Sequence, residues 1–274
     1  VILGSATPQI ETYWNAFHKK YQLLELKNRI GQSVLPDVKT LPVRLDKLFP
    51  QSQIGDDLDL GSHLDSSIIS ELTANLTQQE QSIVIINRRG YAYYLLDVLE
   101  KKPVQCPYCS ISMTIHFGFR ILVCHYCEFR QKVQEILKKH PEKKFVAIGY
   151  GSQKVEELLK ESLPAARIAR LDSDISTDRE ELYKIIHDFK KGELDILVGT
   201  QILAKGHDFP KVTLIFILNI DSLLDFPDFR AGERVFQLLV QASGRAGRAE
   251  LPGRVFVQTL REDHPIIHAA SAHD

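Results

Sequence analysis

Six short apolar runs set the terms on which this chain can fold. They fall at 82–87, 144–148, 166–171, 195–200, 212–220 and 253–259. Each is nearly continuous and rich in branched residues, the pattern of a strand covered on both faces rather than one. Between several of them the apolar residues switch to helical spacing. The stretch 152–162 sets Val155, Leu158 and Leu159 on one face, 177–191 does so with Leu182, Ile185, Ile186 and Phe189, and 230–243 with Val235, Leu238 and Leu239. Alternating strands and helices predict an α/β fold, an open, doubly wound, mostly parallel sheet. In such a sheet ligands bind beyond the carboxyl ends of the strands.

Composition narrows the function classes. The 274 residues are 44% hydrophobic and 25% charged, with a formal net charge of −1. No global field draws such a chain to DNA or to a membrane, so any polyanion contact must come from local patches. The longest apolar run, 212–218, is too short to span a bilayer. No secretory signal is seen, and the cytoplasm is the expected compartment. The opening "VILGSATP" reads as a buried strand running into a turn, an odd start for a whole protein, so a fragment is expected.

All four cysteines lie in two C-x-x-C pairs, Cys106/Cys109 and Cys124/Cys127. Each pair presents two thiolates to one ion. Two pairs complete the closed, tetrahedral set suited to one structural Zn²⁺, with no open position for substrate. The alternative is unbound thiols or a redox pair. The intervening residues can form a hairpin that brings the pairs together. Nine Lys or Arg and only three Glu lie between residues 101 and 144, an excess of six positive charges, of which four remain after four thiolates bind one Zn²⁺. Phe117, Phe119 and Tyr126 sit among them. Cations interleaved with aromatics suit single-stranded nucleic acid. The same residues also fit a solvated basic surface over a small core.

A second cluster lies near the end. In "LVQASGRAGRAELPGRVFVQT" (239–259), Arg245 and Arg248 stand three apart among small residues, like a clamp for a polyanion. It joins "GSATP" (4–8), "INRRGYA" (86–92), "DILVGTQILAKGHDFP" (195–210) and "DFRAGER" (228–234), in that order around the cysteine pairs. Together these stretches resemble the PriA family of replication-restart helicases, within the superfamily 2 DNA helicases. The resemblance covers nearly the whole chain.

The resemblance implies two RecA-like lobes that enclose ATP and step along DNA. It divides this chain into the end of a first lobe with its connector (1–27), a linker (28–63), the start of a second lobe (64–100), an inserted zinc module (101–131) and the rest of the second lobe (132–274). Ser5, Ala6 and Thr7 match the motif that couples hydrolysis to unwinding. Gln241, Gly244, Arg245 and Arg248 match the last motif, whose arginines reach the γ-phosphate across the lobe interface. Gly199, Thr200, Lys205, Gly206 and Asp208 match the block between nucleotide and DNA backbone, although Asp208 fits a turn cap equally well. Arg88 and Arg89 match a block assigned to DNA phosphates or lobe packing. Arg234 reads as a surface ion-pair residue. ATP and Mg²⁺ are the implied cofactors of the intact enzyme besides zinc. The implied partners are DNA forks, single-stranded DNA, primosomal proteins and single-stranded-DNA-binding protein. No membrane is implied, and a monomer is expected.

Two departures qualify the resemblance. The family's second zinc uses outer cysteine pairs, but "YAYYLLDVLE" (91–100) and "ILKKHPEKKF" (136–145) stand in their places, so one zinc is expected. No G-x-x-x-x-G-K-[ST] loop and no D-E-x-H box occur, so the phosphate lysine and Mg²⁺ carboxylates are missing. A non-catalytic, zinc-stabilised DNA-binding or interaction module is the alternative reading, and a superfamily 2 RNA helicase a weaker one. The purified chain is expected to show no DNA-stimulated ATP hydrolysis in a phosphate-release assay.

Overall fold

The computed structural model describes residues 2–26, 36–43, 64–86, 93–116, 120–149, 151–172, 179–200, 203, 209–226, 228–247 and 252–272. Six strands form one parallel sheet: β1 (Asp37–Pro42), β2 (Gln81–Ile86), β9 (Ile168–Leu171), β10 (Ile196–Gly199), β11 (Val212–Leu218) and β12 (Arg254–Thr259). Their order is β1-β12-β11-β2-β10-β9, and every pairing is parallel.

The continuous apolar runs are explained by burial on both faces. Ile83 and Ile85 of β2, Leu197 of β10, and Ile215 and Ile217 of β11 enter one core cluster. Their alternating neighbours Val84, Ile86, Ile196, Val198, Leu214, Phe216 and Leu218 enter another. Successive strand side chains point to opposite faces, so each face needs its own cover. Helices α5 (Arg179–Lys191), α7 (Ala231–Ser243) and α8 (Pro265–Ala272) cover the first face through Phe189, Val235, Leu239 and Ile267. Helices α2 (Ser66–Thr77) and α4 (Ser152–Ser162) cover the second through Leu72, Val155 and Leu159. The expected α/β, doubly wound sheet is thus the observed one. Among the described residues no helix is long and apolar enough to cross a membrane.

Buried polar groups at the amino ends of the strands are satisfied. Asn75 Nδ2 donates to Gln81 O at 3.2 Å and to Ser82 Oγ at 3.1 Å. Its Oδ1 accepts from Thr213 Oγ1 at 3.1 Å and Arg254 Nη2 at 3.2 Å. One side chain therefore ties α2 to β2, β11 and β12, away from the carboxyl ends where function is expected.

Two expectations are corrected. Part of the span read as a linker, 37–42, is strand β1, which pairs in parallel with β12 along its whole length. Its Pro and Asp residues disguised it, and an edge strand tolerates both. The run at 144–148 is not a strand of the parallel sheet. As β8 (Phe145–Ile148) it pairs antiparallel with β3 (Tyr93–Asp97). The cysteine pairs thus sit in a second, antiparallel sheet reaching from β3 to β8, wider than the 101–131 module. Its other members are β4 (Lys102–Pro103), β5 (Thr114–His116), β6 (Ile121–Val123) and β7 (Arg130–Lys132), followed by α3 (Val133–Lys139). An apolar run alone does not say which sheet it joins.

This second sheet has its own core, with Leu95, Met113, Ile115, Leu122, Val133 and Phe145 around Cys106 and Cys124. Tyr94, Leu96 and Val146 pack with Val43 and Leu260 in a smaller cluster. Tyr94 Oη donates to Asn219 Oδ1 at 3.3 Å, just past the end of β11.

Gly199 closes β10 opposite Leu171. A Cβ there would stand 2.0 Å from the Leu171 carbonyl oxygen and 2.9 Å from Leu203 Cδ1. Gly199→Ala is therefore expected to destabilise the protein by about 3 kcal/mol, the upper range for overpacking, read as a lowered urea midpoint.

Candidate metal centre and motor surface

The two C-x-x-C pairs fold into matching knuckles. Cys106 N–H donates to Ile111 O at 2.7 Å, and Ser110 N–H to Cys106 O at 2.9 Å. Cys124 N–H donates to Phe129 O at 2.9 Å, and Glu128 N–H to Cys124 O at 2.9 Å. The residue after each second cysteine, Ser110 or Glu128, takes a left-handed conformation with φ 56° or 61°. That turn lets the chain reverse into the next strand. Hairpin β5–β6 lies between the knuckles, as the spacing predicted, and brings them together.

The four sulfurs of Cys106, Cys109, Cys124 and Cys127 all lie within 4.8 Å of one another. Cys106 Sγ and Cys127 Sγ are 3.6 Å apart. Four thiolates at about 2.3 Å from one Zn²⁺ would be spaced about 3.8 Å apart, so the set fits the ion.

The thiols do not titrate alike. Burial pushes Cys106 up, against backbone N–H groups of Tyr108 and Cys109 that donate to its sulfur. The Cys127 side chain, more than burial, drives Cys109 up to about 12. Burial also opposes ionisation of Cys124, but the N–H groups of Cys127 and Tyr126 outweigh it and bring the thiol down to about 7. Four thiols this close resist ionising together, and a divalent cation removes the conflict. Tyr108 and Tyr126, at equivalent knuckle positions, are 76% and 77% exposed. Both rings are therefore available at the surface rather than filling the small core, although Tyr108 also meets Phe129 edge-on at 5.2 Å.

The second cluster is built on α7. Gln241 Nε2 donates to Thr7 Oγ1 at 2.9 Å. One turn back, Gln237 Nε2 donates to Thr7 O at 3.4 Å and to Glu233 Oε1 at 3.2 Å. Another turn back, Glu233 Oε1 accepts from Ile10 N–H at 2.9 Å. An ion pair between Arg230 and Glu11 closes the row. Thr7 is buried in an otherwise exposed segment, and Ser5 Oγ accepts from its N–H at 3.1 Å. Ala6 is exposed. Of the residues expected at the site, the structure joins Gln241 to Thr7 directly and to Ser5 through Thr7. Glu233 and Gln237 were missed, yet their spacing to Gln241, 233-237-241, is a polar stripe at i, i+4 on one helix face. Arg234, read as an ion-pair residue, pairs with Asp228 at 2.7 Å.

Past α7 the chain turns at Gly244 and Arg245, which is half-buried with its N–H donating to Ala242 O at 2.9 Å. Gly247, at φ 67°, donates its N–H to Val212 O at 3.0 Å. A Cβ on Gly253 would stand 2.5 Å from the Ala246 carbonyl carbon. The small residues beside the arginines therefore have a packing role: they let the turn lie against the start of β12. Gly199 and Thr200 lie at the carboxyl end of β10, where the sheet rule puts ligands, and Gly199 has the packing role given above. Arg88, Arg89, Lys205, Gly206, Asp208 and Arg248 lie outside the described residues.

Comparison with known proteins bears on both clusters. The helicase conserved C-terminal domain family matches residues 128–250. The PriA DNA helicase Cys-rich region domain matches residues 106–132, from the first zinc-type cysteine to the end of β7. The replication restart protein PriA of Bacillus subtilis (strain 168) is 38% identical over 274 residues, all of this chain and 33% of that protein. The chain belongs to the PriA family. The PriA of Chlamydia pneumoniae is 35% identical over 276 residues, covering this whole chain and 36% of that protein. The chain thus spans about a third of the length of the curated relatives it matches. Among solved structures, S. cerevisiae Dbp5 bound to RNA and ADP BeF3 aligns with 98% of this chain and 47% of its own, at 15% identity and a TM-score of 0.45.

For this PriA-family chain, metal analysis after exhaustive dialysis is expected to return one zinc. Cys106→Ser should lose it and expose the second sheet to proteolysis. Because the cores are separate, the parallel sheet should keep its cooperative unfolding transition.

Proposed function

We propose that this chain is the second motor lobe and zinc ribbon of an ATP-dependent 3′→5′ DNA helicase of replication restart. The observation that carries this reading is the hydrogen bond from Gln241 to Thr7. It links the "SAT" stretch to the "QASGRAGR" stretch, so a change at one is felt at the other through α7. Arg245 follows two residues past the end of α7, so its position depends on how that helix is held, and Arg248 comes three residues later in the sequence. In the assembled enzyme these guanidiniums stabilise charge on the γ-phosphate, and their planar, permanently charged forks suit that task. ATP supplies the transferable phosphoryl group, and Mg²⁺ and the phosphate lysine come from a lobe that this chain does not contain. Gly199, Thr200, Lys205, Gly206 and Asp208 lie between nucleotide and DNA backbone. Arg88 and Arg89 add phosphate contacts.

The zinc ribbon contributes rigidity and an exposed, cation-rich surface with Tyr108 and Tyr126 for unpaired strands. The intact enzyme binds DNA forks and single-stranded DNA in the cytoplasm, as a monomer that meets primosomal proteins and single-stranded-DNA-binding protein. The chain alone does not hydrolyse ATP.

In the longer protein, Arg248→Ala is expected to lower DNA-stimulated ATP hydrolysis by about 10³-fold, as for other arginine fingers, with DNA affinity little changed. Gln241→Ala, which cuts the link to Thr7, should lower unwinding more than hydrolysis. Steady-state phosphate release and fork-unwinding assays on the same preparations check both. Near-normal turnover in the arginine variant would remove the finger assignment.

A further inference from the structure

Two imidazoles stand beside the four sulfurs without belonging to them. His116 closes β5, and His125 sits inside the second knuckle, between Cys124 and Tyr126. Their Nε2 atoms are 3.5 Å apart, with ring centroids at 5.4 Å and planes inclined by 53°. Both residues are exposed. That separation is long for a hydrogen bond from a ring N–H, where about 2.7–3.2 Å is usual. It lies slightly beyond the spacing of two imidazole nitrogens held at about 2.0–2.1 Å from one ion, about 2.8–3.0 Å at adjacent corners of a square or octahedron and about 3.3–3.4 Å along the edge of a tetrahedron, so a small ring rotation brings both onto one ion.

Backbone pairing sets both ends of this chelate. His116 pairs with Ile121 across the β5–β6 hairpin. The knuckle bonds from Cys124 N–H and Glu128 N–H hold the backbone on either side of His125. Binding therefore requires little ordering of the chain, the condition under which two ligands suffice for measurable affinity.

We propose that His116 and His125 form a second, exchangeable metal site that takes a borderline divalent cation, Zn²⁺, Ni²⁺ or Cu²⁺, through their Nε2 atoms. Imidazole nitrogen favours these ions, whereas Mg²⁺ and Ca²⁺ prefer oxygen. The site differs from the four-sulfur centre in kind. It has two neutral ligands, it is open to solvent, and its remaining positions are left to water or an anionic oxygen. An ion bound there adds positive charge beside the exposed Tyr126 ring. The inference rests on the four-thiolate centre only in that the second knuckle must be formed.

The test is calorimetric titration of the full, zinc-containing chain with Ni²⁺, with zinc content measured before and after. One further equivalent of Ni²⁺ is expected to bind while zinc stays in place, and Mg²⁺ at the same concentration should give no heat. His116→Ala should abolish Ni²⁺ uptake and leave the zinc content unchanged, and His125→Asn should abolish it too. Should His125→Asn also lose zinc, the knuckle has failed, and His116→Ala, at the exposed end of β5, decides the matter. The proposal is overturned by absence of Ni²⁺ binding in the unaltered chain, by Ni²⁺ binding that survives His116→Ala, or by release of zinc in step with Ni²⁺ uptake.

Discussion

Strand β2 lies at the middle of the parallel sheet, and all six of its residues are buried. Its side chains alternate between two cores, so the strand is stable only when helices cover both faces at once. That constraint explains the connections. Helices α2 and α4 must lie on one side, and α5, α7 and α8 on the other, which sends every carboxyl end to the same edge of the sheet. The chain leaves β2 at that edge and enters the antiparallel sheet through β3. The zinc-type knuckles are thus tethered near the carboxyl end of β11, through the contact of Tyr94 with Asn219 and the small cluster around it.

The antiparallel sheet solves a different problem. Its strands are two to five residues long, too short to stabilise a fold alone. The knuckles compensate by turning backbone N–H groups toward sulfur, in the same way on each side. The polar work is done by the backbone, and the side chains at the knuckle tips, Tyr108, His125 and Tyr126, are exposed. A closed centre thereby presents an open surface.

The polar stripe on α7 is where packing and function meet. Glu233, Gln237 and Gln241 face a segment more than two hundred residues away in sequence. None of them is needed to bury apolar surface, since Val235, Leu238, Leu239 and Ala242 do that from the opposite face. The helix is amphipathic as any surface helix is, but its polar face is occupied by Thr7, Ile10 and Glu11 instead of water. Arg245 begins where that stripe ends.

Much of this was legible before any coordinates. The four cysteines, the three principal helices and most strands of the parallel sheet follow from spacing alone, because burial on both faces and on one face leave different periodicities. The ordered motifs are local too, and they carried the family. Other features depended on partners far away in sequence. Strand β1 was hidden by its proline and charged residues, which only an edge position tolerates. Strand β8 looked like its parallel neighbours because an apolar run has no direction. The small residues beside Arg245 suggested room for a ligand, but the turn they form lies against Gly253. Similarly, two histidines nine residues apart signify nothing until a hairpin sets their rings together. Sequence by itself determined the element types, the metal-type ligands and the motif residues, since these depend on neighbours along the chain. Tertiary structure alone decided sheet membership, strand direction and which polar side chains meet, because those are set by hydrogen bonds and packing between segments whose separation no local pattern records.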